Sequence, residues 1–353
     1  MTDAAYALRI LRNAMDSFTD LIGSYPRSSL LIGNGYSIAA HHGFSYASLL
    51  SMTNFELEHW FKDLFSKLDT SNFELILEIL DNAQFVNETS GNIAEAERDV
   101  KARENLIDLF IKTLRSIHPD NKILIDAPAC ITEEQYKTNG QFLNNFSTIF
   151  TLNYDLLLYW SILENKYTDR FKDNFSITKD RDYFANYFNE SPIVNTNLWF
   201  LHGALHLRTD HTGLTYKVIH SENNNILDQL RASLEKSIYP TIIFEGTDKE
   251  KILKINTNRY LSIANSVLSN SSGCLFTYGF SFNKNDFHIL DSIFKSSIHT
   301  LCVGLRGTTD QHQEIVGECA KLKEYAGRSF GSNRRTTPLE IFYYDTTQMN
   351  NIW

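Results

Sequence analysis

Three observations predict a doubly wound α/β fold with a mostly parallel sheet and a helical insertion. Six short apolar runs have strand length, segments of helical period separate them, and most of the runs stop directly at small or polar residues. The runs are Ser29 to Ile32, Thr148 to Leu152, Leu198 to Leu201, Cys274 to Tyr278, Thr300 to Val303 and Ile341 to Tyr344. Alternation of strand and helix along one chain is the signature of a parallel sheet with crossover helices.

Taken in order, the first eighteen residues carry charges through an apolar stripe and read as an amphipathic helix rather than an export signal. More than a hundred residues separate the first strand from the second, far more than one crossover helix needs. Phe73, Ile76, Leu77 and Leu80 mark one amphipathic helix there, and Ala94 to Leu114 turns apolar on one face at Leu106, Leu109, Phe110 and Leu114. Residues 45–145 therefore read as a helical insertion, with 1–44 and 146–353 forming the sheet domain. The stripe is expected either to make contacts between copies of the chain or to pack on the sheet. Helical segments follow at Asp155 to Glu164, Lys249 to Leu268 and Asp286 to Phe294. A second insertion, about 204 to 272, holds a predicted strand from Thr241 to Phe244, with Pro240 suited to its start. The tail after Leu305 is polar and glycine-punctuated before the last strand.

The 353 residues suffice for two or three domains, or for one large domain with an insertion, at about 100–200 residues per domain. Hydrophobic residues make up 42% and charged residues 21%, which supplies a core and excludes global disorder. The net charge of −9, with no basic block, argues against nucleic acid or a membrane surface as a direct partner. No stretch approaches eighteen uninterrupted apolar residues, so a cytoplasmic protein is expected. Cys130, Cys274, Cys302 and Cys319 include no C-x-x-C pair for a zinc knuckle or redox site, and read as buried thiols.

Four strand ends carry the candidate chemistry. Gly33-Asn34-Gly35-Tyr36-Ser37 is a strand-to-helix turn whose glycines permit close approach to a phosphate, although Ile38 stands where the dinucleotide fingerprint has its third glycine. A tight turn without a ligand is the competing explanation. Thr151, Asn153 and Asp155 follow the second strand, where they either face a ligand crevice or cap the next helix. His202 and Gly203 end the third, and His202 is placed to act as a general base or to bind a sugar hydroxyl; a packed histidine is the plain alternative. Gly279 and Ser281 follow the fourth, and Ser281 and Asp286 suit ribose hydroxyls or a helix cap.

This ordered set, Gly-x-Gly-x-Ser, Thr-x-Asn-x-Asp, His-Gly and Gly-x-Ser, resembles the sirtuin-like family of NAD-using proteins. The resemblance is closest to bacterial sirtuin-like NAD hydrolases of antiphage defence, some of which work beside a HerA-type hexameric ATPase. It implies a Rossmann-like NAD-binding domain, hydrolysis of NAD+ to nicotinamide and ADP-ribose without a metal, and NAD+ depletion in abortive infection. The apolar stripes of the 45–145 insertion add the expectation of a homo-oligomer. By the same resemblance the Gly33 to Ser37 turn, Asn34 included, holds the pyrophosphate, and Gly279 and Ser281 hold the adenosine ribose. Asp155 takes the nicotinamide carboxamide, Asn153 positions water or a ribose hydroxyl, and His202 serves as base or ribose partner. The missing cysteine pairs depart from protein-deacylating sirtuins, which carry a four-cysteine zinc module. An NAD-dependent deacylase and a signalling module that binds NAD or ADP-ribose without turnover are the alternatives.

Overall fold

A computed structural model gives the structure of residues 15–55, 59–118, 131–177, 185–190, 196–219, 226–234, 236, 238–243, 248–283, 286–306, 309–328, 337–347, 349 and 352–353. Six parallel strands form the central sheet: β1 (Ser29–Ile32), β2 (Thr148–Thr151), β5 (Leu198–Phe200), β8 (Ser272–Tyr278), β9 (Ser297–Leu305) and β10 (Glu340–Asp345). They correspond to the six apolar runs, β1 with the same ends and the others with ends shifted by at most three residues. The interiors of all but the edge strand β10 are almost wholly buried, which is why those runs are apolar on both faces rather than alternating.

The spatial order is β10-β9-β8-β1-β2-β5. Counted along the sheet's own strands this is the 3-2-1-4-5-6 order of doubly wound dinucleotide folds, so the fold is Rossmann-like. The order reverses between β1 and β8, and at such a switch point the connections diverge and leave a crevice beyond the strands' carboxyl ends. Register places the motifs there together: Ile32 lies beside Thr151 and Tyr278, and Thr151 beside Phe200.

Between β1 and β2 lie helices Gly35–Ala40 (α2), Tyr46–Met52 (α3), His59–Lys67 (α4), Phe73–Thr89 (α5), Ile93–Ile117 (α6) and Glu133–Leu143 (α7); α1 is Phe18–Ser24. Asn72 caps α5 by accepting the Glu74 amide, and Thr132 with Gln135 forms a capping box on α7. Leu106, Phe110 and Leu114 of α6 are buried with Phe73, Ile76 and Leu77 of α5 in a core continuous with the sheet. The α6 stripe therefore packs inside the chain, and these three residues are not a contact face for another copy. Burying side chains of this size stabilises by roughly 1.5–3 kcal/mol each.

A second sheet escaped the sequence reading. Strands β3 (Phe175–Ile177), β4 (Ala185–Phe188), β7 (Thr215–Val218) and β6 (Leu207–Thr209) pair antiparallel in that order. The strand predicted over Thr241 to Phe244 is reduced to an isolated bridge between Ile242 and Gly203, and Phe244 lies outside the described residues. The predicted helix from Lys249 to Leu268 is two helices, α10 (Asp248–Thr257) and α11 (Arg259–Ser269), because Asn258 stops the first and its side chain caps the second at Leu261. The remaining helices are α8 (Leu157–Glu164), α9 (Ile226–Leu234), α12 (Phe287–Lys295) and α13 (Thr309–Arg328). The tail is therefore more structured than its composition indicated. Residues 1–14 and Cys130 lie outside the described residues, while Cys274, Cys302 and Cys319 are buried free thiols. Among the described residues no helix is long and apolar enough to cross a membrane.

Candidate functional site

A cleft of about 810 Å³ opens beyond the carboxyl ends of β1, β2, β5, β8 and β9, within the size range of cofactor sites. Gly33, Asn34, Gly35, Asn153, Asp155, His202, Gly279, Ser281 and Asp286 all line it. Thr151 and Ser37 sit behind the lining and support it: the Thr151 hydroxyl accepts the Asn153 amide at 3.1 Å, and Ser37 is fully buried.

The glycines have a steric reason that needs no ligand. A Cβ on Gly33 would lie 2.6 Å from the Gly279 carbonyl oxygen, one on Gly35 2.6 Å from the Gly279 Cα, and one on Gly279 2.4 Å from the Tyr36 nitrogen. Gly279 also holds φ +66°. The amides of Gly33 and Gly35 donate to the carbonyls of Tyr278 and Gly279 at 3.0 and 2.9 Å. The β1 and β8 loops are thus locked backbone to backbone at the switch point, and the floor of the cleft is bare main chain.

Beside that floor runs a buried polar chain. The Asn153 amide donates to Ser37 Oγ at 2.7 Å, Ser37 donates to Asp155 Oδ2 at 2.5 Å, and Asp155 Oδ1 accepts the Leu157 amide at 2.9 Å. Asp155 therefore holds the first helical amide of α8 and lines the cleft at once. Burial raises its carboxyl above the ordinary range, a shift opposed by the Ser37 hydroxyl and the Leu157 amide.

At the end of β5, His202 Nε2 lies 2.8 Å from His288 Nε2 and 3.9 Å from Asp286 Oδ1. Burial, the His288 ring and the Lys251 ammonium push His202 well below the usual histidine range, so it is neutral at pH 7. Asp286 precedes α12 without capping it; its carboxylate turns instead to Lys251 Nζ at 3.4 Å. Lys251 also meets Glu74 Oε2 at 3.1 Å, and the Tyr46 and Tyr154 hydroxyls donate to Glu74 Oε1 at 2.8 and 3.2 Å. Burial opposes the lysine's charge, but Glu74 and Asp286 outweigh it and hold the ammonium above the usual lysine range. Burial likewise raises the Glu74 carboxyl, with Lys251 opposing.

Polar atoms of His202, Asp286 and His288 all fall within 4.8 Å of one another, a set to test for a metal. Two nitrogens on a tetrahedral ion at about 2.1 Å stand roughly 3.4 Å apart. The imidazoles are closer than that, at hydrogen-bonding distance, and Lys251 already supplies the cation beside Asp286. The donors fit a proton-sharing pair better than an ion.

Tyr46, Glu74, Lys251, His288 and Arg306 were not singled out from sequence. Glu74 and Lys251 are 177 residues apart, and each reads locally as a charge on an amphipathic helix. Arg306 and Thr346 line the cleft from the tail.

Residues 30–353 match the family described as Domain of unknown function (DUF4917). The chain belongs to that family. No curated protein matches it. Among solved structures the chain is similar to Sir2Tm bound to a propionylated peptide, at 12% identity and a TM-score of 0.32, over 88% of this chain and 97% of that one.

Proposed function

We propose that the chain is an NAD+ hydrolase, in which water cleaves the bond between ribose C1′ and the nicotinamide nitrogen to give nicotinamide and ADP-ribose. The observation that carries this reading is that one cleft, opening at the switch point, is lined by Asn153 and Asp155, joined through Ser37, and by a neutral His202 at the end of β5. A dinucleotide site belongs at that point of a doubly wound sheet.

Charge supports the same reading. Glu74, Asp155 and Asp286 line the cleft, and its acidic lining suits the cationic nicotinamide and positive charge developing at C1′. The phosphates lie over the bare backbone of Gly33, Asn34, Gly35 and Gly279, and Arg306 is a cleft-lining cation for them. Ser281 takes the adenosine ribose. Asp155 holds the carboxamide, Asn153 holds water or a ribose hydroxyl, and His202 accepts a proton, a role worth ~10²–10⁴-fold.

The sequence reading extends the proposal to a cytoplasmic homo-oligomer that depletes NAD+ in antiphage defence, beside a HerA-type ATPase. The test is chromatography of NAD+ incubated with wild type and with Asn153→Ala, each alone and with a co-encoded ATPase. Nicotinamide and ADP-ribose formed by wild type only is the expected result. NAD+ that survives every condition while raising the wild-type melting temperature would replace the hydrolase with a binding module.

A further inference from the structure

Glu74 lies outside every sequence motif, yet it is the charged side chain that the helices between β1 and β2 place in the cleft wall. Its side chain keeps 15% exposure, facing the cleft, while Lys251 behind it keeps 1%. It sits in the first turn of α5, where the helix dipole favours a negative charge. Two tyrosine hydroxyls and one ammonium fix both of its oxygens. A carboxylate accepts about four hydrogen bonds, so one position remains after the three made among the described residues.

Asp155 and Asp286 are less suited to a cationic substrate atom. Asp155 is buried whereas the Glu74 side chain keeps its exposure, and Asp286 faces Lys251 and His202. Tyr46 and Tyr154, which clamp Glu74, line the cleft themselves, so the carboxylate and its donors form one preorganised wall.

Resting on the NAD+ hydrolase reading, we infer that Glu74 is a catalytic residue of this cleft, a carboxylate that faces the nicotinamide ribose and stabilises its cation during bond cleavage. The C1′–N bond breaks with its electron pair passing to the nicotinamide nitrogen, which loses its positive charge. The ribose becomes the cation that Glu74 faces. Water forms the new C1′–O bond and gives one proton to His202 and then to solvent. Preorganised charge of this kind is worth about 10²–10³ in turnover, and the helical segment thereby completes the active site rather than decorating it.

The experiment is steady-state nicotinamide release by wild type, Glu74→Gln and Glu74→Asp, with melting temperatures and NAD+-induced thermal shifts on the same samples. Glu74→Gln keeps shape and loses charge, so kcat is expected to fall about a hundredfold or more while KM changes less than about threefold. Glu74→Asp keeps the charge and is expected to recover part of kcat. A merely structural Glu74 would lower the melting temperature and raise KM in both variants without a selective loss of kcat, and that result overturns the inference. Wild-type kcat in a folded Glu74→Gln protein overturns it equally. Failure of the wild type to release nicotinamide sinks the hydrolase reading and this inference together, and is told apart by the wild-type lane alone. If Glu74→Gln does not fold, undiminished kcat in a folded Glu74→Ala protein with Lys251→Met overturns the assignment.

Discussion

Replacing Ser37 with alanine removes one hydroxyl that serves two buried partners. It accepts from Asn153 at 2.7 Å and donates to Asp155 at 2.5 Å, and Ser37 is fully buried. Alanine leaves an amide donor and a carboxylate oxygen facing each other across a space with no donor of its own. An unsatisfied buried polar group costs about 1–3 kcal/mol, more when charged, so the expected loss is about 3–4 kcal/mol in urea unfolding. Leu157 still holds Asp155 Oδ1, which keeps the loss below that of a stranded charge. Asp155→Asn in the Ser37→Ala background should then cost less than in wild type, giving a coupling energy of about 1 kcal/mol or more. Nicotinamide release should fall by roughly a hundredfold as Asn153 loses its anchor. A Ser37→Ala protein within about 0.5 kcal/mol of wild type and with undiminished turnover would refute the claim that this chain organises the site.

Gly279→Ala places a Cβ 2.4 Å from the Tyr36 nitrogen at φ +66°, so it is expected to cost about 2–4 kcal/mol and to weaken NAD+ binding by calorimetry; wild-type values would mean the loops part freely. Lys251→Met strands Glu74 and Asp286 without their cation and should cost about 3–5 kcal/mol. Glu74 already titrates above its unfolded value, and losing Lys251 raises it further, so stability present at low pH is lost as pH rises. The Lys251→Met deficit should therefore be larger at pH 8 than at pH 5 in paired denaturation curves. His206 is buried against Tyr159 and Phe200 with neither ring nitrogen hydrogen-bonded among the described residues, and burial pushes it well below the histidine range. Its unfolded form gains a proton below about pH 6.5 and the folded form does not, so stability is lost as the pH is lowered, by up to about 1.4 kcal/mol per unit. His206→Phe should flatten that slope, and an unchanged slope would remove His206 as its source. Chelator treatment should leave nicotinamide release unaltered, and loss restored by zinc would overturn the reading of His202 and His288 as a proton-sharing pair.

The parallel sheet was legible because strands buried on both faces are continuous apolar runs, and each stops where the chain must turn at the cleft. Ile32 before Gly33 and Tyr278 before Gly279 show both features in four or five residues. The antiparallel sheet was not legible because its strands are three or four residues long; in β7 buried Thr215 and Lys217 alternate with half-buried Tyr216 and Val218, a pattern too short and too polar to stand out. Motif positions placed Asn153, Asp155 and His202 at the cleft, since chemistry at strand ends is local in sequence. Glu74, Lys251 and His288 were hidden for the opposite reason. They reach the site from helix faces whose local pattern is that of ordinary amphipathic helices, and only tertiary packing brings them together. The α6 stripe shows the same limit: periodicity identified an apolar face on Leu106, Phe110 and Leu114 but not what covers it.

The most direct test of the central claim is a crystal structure of the Asn153→Ala protein with NAD+. The account predicts the pyrophosphate over Gly33 to Gly35 and Gly279, the adenosine ribose at Ser281, and the nicotinamide ribose between position 153, His202 and Glu74. NAD+ bound elsewhere on the chain, or bound here with its nicotinamide end toward Arg306, would contradict it.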